Sequence, residues 1–266
     1  MYTVRDAAWI ERHLGTSEHV SVVDVSSAYA VLGVMGPASR QLLGRLGSAD
    51  LSDDGFAFST SREIALGYAT VRATRITYVG ELGWELYVPT EFAVGVYEDL
   101  LEAGADLGVV DAGYYAINSL RLDKGYRAFG SDLTPDHTPL EAGLRFTCKL
   151  STPIDFVGRT ALESAIEAGP RRRLVSLRVG DPDAMLWGGE LVLHDGEPAG
   201  QVTSAAWSAT CGAAVGLAYV WRPDRGPVRA EDLASGTWEV TVGDAVAPLE
   251  IRTGALYDPG SARVKS

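Results

Sequence analysis

Two short segments of the sequence gather residue types that could bind and orient a small ligand. The first, residues 75–89, reads RITYVGELGWELYVP. Gly80 and Gly83 predict a bend between two strands, and aromatic and acidic side chains crowd that bend. Glu85 opens an otherwise apolar strand, where a buried carboxylate without a partner would cost free energy. We therefore expect the Glu85 carboxylate to be satisfied by a cationic side chain or by a ligand.

Two interpretations of Glu85 are open. The ordinary one, favoured by spacing alone, is an ion pair with a nearby arginine. The candidate arginines are Arg72, Arg75 and Arg121. The functional one is a carboxylate that accepts two parallel N–H bonds from a ligand with a guanidine-like edge, such as a pterin. Tyr78 and Trp84 would then supply aromatic walls, although packing in a core explains both residues equally well.

The second segment, residues 118–132, concentrates positive charge. It places Arg121, Lys124 and Arg127 within about two helical turns of one another. A solvated charged face is the usual explanation of such a cluster. In an acidic protein the same cations are also the best candidates to bind the anionic tail of a ligand.

Several common cofactor and catalytic motifs are absent from the sequence. It contains no Gly-x-Gly-x-x-Gly fingerprint and no Walker-type loop, so neither a dinucleotide site nor an FAD-binding motif is predicted. The four histidines lie far apart, and two cysteines, Cys148 and Cys211, are too few for a cysteine-built metal site. We therefore predict no metal site, and neither cysteine has the sequence setting of a nucleophile.

Composition narrows the class of partner. The 266 residues include 35 acidic and 23 basic ones, and the net charge of -12 argues against nucleic acid as the main partner. The one basic run, residues 171–173, is interpreted as a solvated strand entry. No apolar run approaches the roughly 18–20 residues of a membrane span, and the first residues do not form a secretory signal. We expect a cytoplasmic protein that contacts neither nucleic acid nor membrane.

Hydrophobic periodicity predicts the elements that position these segments. Helices are predicted at residues 4–14, 38–46, 91–105, 112–124 and 159–168. Strands are predicted in the front part at residues 20–25, 28–34, 64–69, 71–78 and 85–88, and behind it at 174–179, 191–194, 200–204, 214–220, 238–242 and 248–251. Gly169-Pro170 marks the best boundary. The expected fold is therefore α+β, with a mixed domain, residues 1–169, and a small antiparallel barrel or sandwich, residues 170–266.

Together these motifs resemble the aminomethyltransferase family, which includes the T-protein of glycine cleavage. Residues 78–85 match Tyr-x-Gly-Glu-x-Gly-x-Glu, and residues 119–125 match Ser-Leu-Arg-Leu-x-x-Gly. Further matches are Thr-Pro-x-Glu at 138–141, Phe-x-Gly-Arg-x-x-Leu at 156–162, and barrel-like segments at 200–204 and 216–220. Residues 78–85 and 114–121 are more similar still to the C-terminal folate domain of dimethylglycine and sarcosine dehydrogenases. Ile117 stands where T-proteins proper usually carry an arginine, which favours that branch.

The resemblance implies a three-part cloverleaf fold, its first part incomplete, followed by a C-terminal β-barrel. It also implies binding of tetrahydrofolate, with Tyr78 and Glu85 as pterin contacts and with Trp84 and Arg121 as further candidates. In the family, a carbon unit delivered as an iminium or formaldehyde is captured to give 5,10-methylenetetrahydrofolate. The implied partners are folate, a small amine-derived one-carbon donor, and a flavoprotein or completing chain.

The sequence departs from the family at its catalytic aspartate. That residue lies in a Gly-Gly-x-x-Asp-Asp segment, whereas here the pairs Gly188-Gly189 and Asp53-Asp54 are far apart. The resemblance therefore implies that this chain has no catalytic residue. It also implies that the chain is a fragment, which could be the product of a truncated gene, the result of a mis-called start codon, or a subunit completed by another chain. Three functions stay open: a one-carbon transferase domain, a non-catalytic folate-binding or assembly module, and a remnant without a ligand. Tyr126 follows Lys124-Gly125 where an iron–sulfur maturation branch carries cysteine, which counts against that branch.

Overall fold

A computed structural model describes residues 2–15, 17 and 19–266, and these fold into two compact units. The first unit contains the described residues up to Thr77, together with Glu81–Asp111 and Val264–Ser266. The second contains Tyr78–Gly80 and Ala112–Arg263. The units thus divide near residue 111, whereas the sequence predicts a domain boundary at 169–170. The difference arises because the segment after Asp111 includes a helix that packs on the C-terminal barrel.

The first unit contains a four-stranded antiparallel sheet, and two of its three helices, the second and the third, pack on one face of that sheet. Its strand order is β1-β4-β3-β2. The strands are β1 (Tyr29–Met35), β2 (Ser61–Leu66), β3 (Ala69–Thr74) and β4 (Gly83–Pro89). The helices are α1 (Tyr2–Arg12), α2 (Ser39–Leu46) and α3 (Ala93–Gly104).

Side-chain alternation explains why only one face of this sheet is packed. In β4 the buried side chains of Trp84, Leu86 and Val88 alternate with the half-buried ones of Glu85 and Tyr87. The buried set forms a core with apolar residues of α2 and α3. Within the first unit, the face that carries Glu85 is therefore not covered by these helices.

Residues 20–25 do not form the strand predicted for them. In the structure they have no regular secondary structure, and Val20, Val23 and Val25 are exposed. A β-rich sequence becomes a strand only when a neighbour completes its ladder of hydrogen bonds. Within the described residues the sheet instead ends at β1, so this prediction is wrong.

The second unit contains a closed six-stranded antiparallel barrel, which confirms the β-barrel that the family resemblance implies and decides between the barrel and the sandwich that the sequence pattern left open. Its strand order is β10-β5-β8-β7-β6-β9. The strands are β5 (Arg172–Val179), β6 (Leu191–His194), β7 (Glu197–Ser208), β8 (Ala213–Trp221), β9 (Trp238–Val242) and β10 (Ala245–Arg252). The helices of this unit are α4 (Tyr114–Asp123), α5 (Arg159–Ala168) and α6 (Ala230–Ala234), and a last helix, α7 (Ala262–Lys265), divides its residues between the two units.

Strand β8 shows how the barrel is stabilised. Every residue from Ala213 to Val220 is buried, which requires contacts on both faces of the strand. Inward-facing residues such as Ala218 and Val220 fill the barrel, while Leu217 and Tyr219 pack outside it with Leu122 of α4. The continuous apolar run of β8 thus reflects a helix covering the outside of the barrel.

In the part of the chain that the structure describes, no helix has the length and apolar character needed to cross a membrane.

Candidate functional site

Glu85 lies on the open face of the first unit's sheet, beside a gap in the side-chain layer. Its neighbours in the adjacent strands are Gly33 of β1 and Thr74 of β3. Gly33 has no side chain, and a methyl group there would contact only Met35, at 3.5 Å from its Cε atom. The Glu85 carboxylate therefore lies beside a strand position that carries no side chain.

One oxygen of the Glu85 carboxylate is held by a neighbour on the same strand. The hydroxyl of Tyr87 donates a hydrogen bond to Glu85 Oε2 at 2.9 Å. This bond, aided by burial, raises the pKa of Tyr87, because a phenolate beside a carboxylate is disfavoured. Among the described residues, no donor approaches Oε1 within hydrogen-bonding distance. That oxygen is therefore available to a ligand.

The predicted ion pair between Glu85 and an arginine is wrong for the described residues. Each candidate arginine has another acidic partner. Arg72 pairs with Glu63 at 3.1 Å, Arg75 with Asp53 at 2.8 Å, and Arg121 with Asp132 at 2.5 Å. The ordinary interpretation therefore does not account for this carboxylate.

Trp84 is a core residue and not a wall of the Glu85 face. Its side chain is 0% exposed and packs edge-on against Phe56, with the ring centroids 6.1 Å apart. Adjacent residues in a strand point to opposite faces, so Trp84 and Glu85 cannot line the same surface. The structure thus corrects the expectation that Trp84 flanks a ligand bound to Glu85.

Tyr78 belongs to the second unit, where it forms an aromatic pair. Its ring stacks on Tyr126 at 6.0 Å between centroids, and its hydroxyl donates to the Arg127 carbonyl at 3.1 Å. Burial raises the pKa of Tyr78 above its ordinary value, which favours the protonated hydroxyl that makes this bond. Gly80 has φ +81, and a Cβ atom there would lie 3.1 Å from Lys124, so only glycine fits comfortably.

Arg121 is the centre of a buried polar network and not a free cation. It is 2% exposed, and its guanidinium donates to Asn118, to the Tyr126 carbonyl and to Asp132. Asp132 is 0% exposed and also accepts hydrogen bonds from the hydroxyls of Thr203 and Ser204, at 2.5 and 2.7 Å. This arrangement corrects the expectation that Arg121 binds an anionic ligand tail.

A bulge in β7 makes this network possible. The register of β7 against β8 shifts between Val202 and Ser204. In a regular strand Thr203 and Ser204 would point to opposite faces, whereas here both hydroxyls reach Asp132 Oδ1. Both residues occur in the barrel segment noted in the sequence, but Asp132 lies 71 residues away from Thr203, and nothing in the sequence pairs them.

The other two cations of the predicted cluster are also engaged within the second unit. Lys124 Nζ pairs with Asp258 at 2.9 Å, and its side chain is 3% exposed. Arg127 donates to the carbonyls of Gly125 and Ala142, at 2.7 and 3.0 Å. Since all three cations have internal partners, this cluster stabilises the second unit. No group of three or more potential metal ligands occurs among the described residues.

Comparison with known proteins gives two family-model matches that follow one another along the chain. The GCVT N-terminal domain matches residues 1–152, and the glycine cleavage T-protein C-terminal barrel domain matches residues 172–258. The crystal structure of glycine cleavage system aminomethyltransferase T from Bartonella henselae aligns with a TM-score of 0.80 and 23% identity, covering 97% of this chain and 67% of that one. The α+β fold with a C-terminal barrel is therefore that of the aminomethyltransferases.

Individual relatives are mostly longer proteins. Sarcosine dehydrogenase from Mus musculus is 39% identical over 244 residues, which cover 92% of this chain and 26% of that protein. Dimethylglycine dehydrogenase from Mus musculus is 40% identical and is covered to 25% by 82% of this chain. Aminomethyltransferase from Halothermothrix orenii is 36% identical over a region that covers 81% of this chain and 59% of that protein. The chain thus spans about a quarter of both dehydrogenases.

Both dehydrogenases are named as mitochondrial proteins, so the cytoplasmic location stays a prediction. The family resemblance in the sequence is confirmed, because the two family models match consecutive parts of this chain. The chain belongs to the glycine cleavage T-protein family and matches both the family's N-terminal domain and its C-terminal barrel domain.

Proposed function

We propose that this chain is a tetrahydrofolate-binding one-carbon transferase domain in which Glu85 binds the pterin. The observation that carries the proposal is the Glu85 carboxylate, which lies on an open sheet face beside Gly33 with Oε1 unbound by any described residue. A carboxylate in that position can receive two parallel N–H donors. Oε2 has a second lone pair, so it can accept one of these N–H donors in addition to the hydrogen bond from Tyr87.

Three residues have proposed roles in folate binding. Glu85 binds the guanidine-like edge of the pterin, and Tyr87 positions the Glu85 carboxylate through its 2.9 Å hydrogen bond. Tyr78 is proposed as a further folate contact because it occupies the family's Tyr-x-Gly-Glu motif. When bound, reduced folate supplies the nitrogens that capture a one-carbon unit as 5,10-methylenetetrahydrofolate. The protein's contribution is to hold the reactants together, which can lower a barrier by about 7–11 kcal/mol.

The one-carbon donor is proposed to come from a methylated amine. The relatives include sarcosine and dimethylglycine dehydrogenases and a formaldehyde-forming 4-methylaminobutanoate oxidase from Paenarthrobacter nicotinovorans. The oxidase is 39% identical over 263 residues, 98% of this chain. We infer that an iminium or formaldehyde released by amine oxidation, in a flavoprotein partner or domain, is the carbon source for this folate site.

A calorimetric titration of the whole chain with 5-formyltetrahydrofolate tests folate binding. Saturable binding with a stoichiometry near one would support the proposal. If circular dichroism shows that the chain is folded and the chain does not bind 5-formyltetrahydrofolate, the proposal is rejected. Addition of formaldehyde and tetrahydrofolate then separates a transferase from a binding module, since only the former accelerates formation of 5,10-methylenetetrahydrofolate above the uncatalysed rate.

A further inference from the structure

A cavity of about 370 Å³ lies in the second unit, where residues 140–146 meet α5 and the start of β5. Its size lies in the range of small-ligand sites. The lining combines apolar residues with two arginines, Arg145 and Arg173. Arg173 ends the basic run at residues 171–173, which the sequence alone assigns to a solvated strand entry.

The two arginines lining the cavity lack protein partners. Neither Arg145 nor Arg173 makes an ion pair or a side-chain hydrogen bond with any residue that the structure describes. The neighbouring Arg172 is different, because its Nε atom binds Glu141 Oε1 at 3.0 Å. The cavity therefore contains two positive charges that no described side chain neutralises.

Glu141 is the one acid in the cavity lining, and its charge is already balanced. Besides Arg172, the Glu141 carboxylate accepts hydrogen bonds from the backbone N–H and the hydroxyl of Thr138, at 3.0 and 3.2 Å. With Glu141 engaged in this way, the cavity is locally cationic. In a chain with a net charge of -12, such a site attracts anions through its own arginines and not through the overall field.

The rest of the lining determines what kind of anion fits. Phe146 is 82% exposed, and Leu140 and Ile166 add aliphatic surface. Burying this surface against an apolar ligand group would be favourable. The lining thus provides charge for one end of a ligand and apolar contacts for the other.

We propose that this cavity is a binding site for a small organic anion. The carboxylate or phosphate group of the ligand pairs with Arg145 and Arg173, whose planar guanidinium groups suit either group. Its aromatic or aliphatic part packs against Phe146 and Ile166. Carboxylate and phosphate share this chemistry, and the probes below distinguish them.

Calorimetric titrations of the whole chain with benzoate and phenyl phosphate test the proposal, and the tighter probe identifies the preferred headgroup. We expect saturable binding that weakens as salt rises from about 50 to about 500 mM, because an ion pair is screened. Benzyl alcohol, which is neutral, should bind at least tenfold more weakly. No saturable binding of either anion, or equal binding of benzyl alcohol, would overturn the proposal.

Variants locate the site. Arg145→Gln and Arg173→Gln should each weaken binding of the preferred probe by about tenfold. Arg171→Gln is the matched control, because it removes the same charge from the same basic run but does not line the cavity. Phe146→Ala should weaken phenyl phosphate binding while leaving inorganic phosphate binding unchanged. Equal losses in Arg171→Gln and Arg173→Gln, with all variants folded by circular dichroism, would show that the probes follow overall charge.

Discussion

The hydroxyl of Tyr87 holds Oε2 of Glu85 from two residues along the same strand, at 2.9 Å. Both side chains lie on the sheet face that the helices leave open. Tyr87 therefore fixes the orientation of the carboxylate without occupying Oε1. This relationship makes Glu85 and Tyr87 the first residues to test by substitution.

Glu85→Gln should weaken binding of 5-formyltetrahydrofolate by about tenfold to 100-fold, because the amide offers one acceptor and loses the charge. Calorimetry on the whole chain measures the change. Glu63→Gln is the control, since Glu63 lies in β2 on the same open face and pairs with Arg72. Unchanged folate affinity in a folded Glu85→Gln variant would reject the proposed role of Glu85.

Tyr87→Phe should weaken folate binding by about threefold to tenfold, because the carboxylate loses a hydrogen bond that orients it. Tyr97→Phe removes a similar bond in the same unit, from the Tyr97 hydroxyl to Asp111 at 2.9 Å. Only the first variant should change folate affinity, while both should change the free energy of unfolding little. Equal affinities in wild type and Tyr87→Phe would limit Tyr87 to a structural role.

Asp132→Asn should lower the free energy of unfolding by about 3–5 kcal/mol, because it leaves the buried Arg121 guanidinium without its counter-charge. Urea denaturation measures this loss. Glu163→Gln breaks the exposed pair with Arg159 and should cost only about 0.5 kcal/mol. A loss as small as that in Asp132→Asn would contradict the importance of the network.

The buried phenol of Tyr219 should make the free energy of unfolding fall at high pH. Its side chain is 4% exposed, and burial raises the pKa of Tyr219 from 10.0 to about 12. Above pH 10 the unfolded chain loses this proton while the folded chain keeps it. The free energy of unfolding therefore falls as the pH rises, by up to about 1.4 kcal/mol per pH unit for this group.

Urea denaturation at about pH 9 and about pH 11 tests this dependence. The fall in stability should be smaller in Tyr219→Phe than in wild type, because the variant has no phenol at that position. Tyr68→Phe removes a fully exposed phenol and should keep the wild-type fall. If Tyr219→Phe and wild type lose equal stability, Tyr219 is not the linked group.

The fold could be predicted largely from the sequence because periodicity reports burial directly. Helix α5 and strands β6 and β9 begin and end where the sequence predicts. Residues 20–25 were mispredicted because strand formation depends on a neighbour, which no local pattern encodes. Phe92 is another limit: the helix predicted at residues 91–105 includes it, but in the structure Phe92 precedes α3 and is 40% exposed.

The site was less predictable than the fold because its contacts depend on strand register and on distant residues. The motif directs attention to Glu85, but the partners of Arg72, Arg75 and Arg121 follow from the tertiary structure. Asp132 and Ser204 are 72 residues apart, so a buried network that joins them has no local signature.

The bulge at Thr203 limits how β7 can change in length. Deleting one residue there would restore a regular ladder but would turn one of the two hydroxyls away from Asp132. Inserting one residue would also turn one of the two hydroxyls away from Asp132. Natural or engineered insertions and deletions should therefore be found in the turns of the barrel. Strand β7 should keep its length at the bulge, because both hydroxyls must reach Asp132.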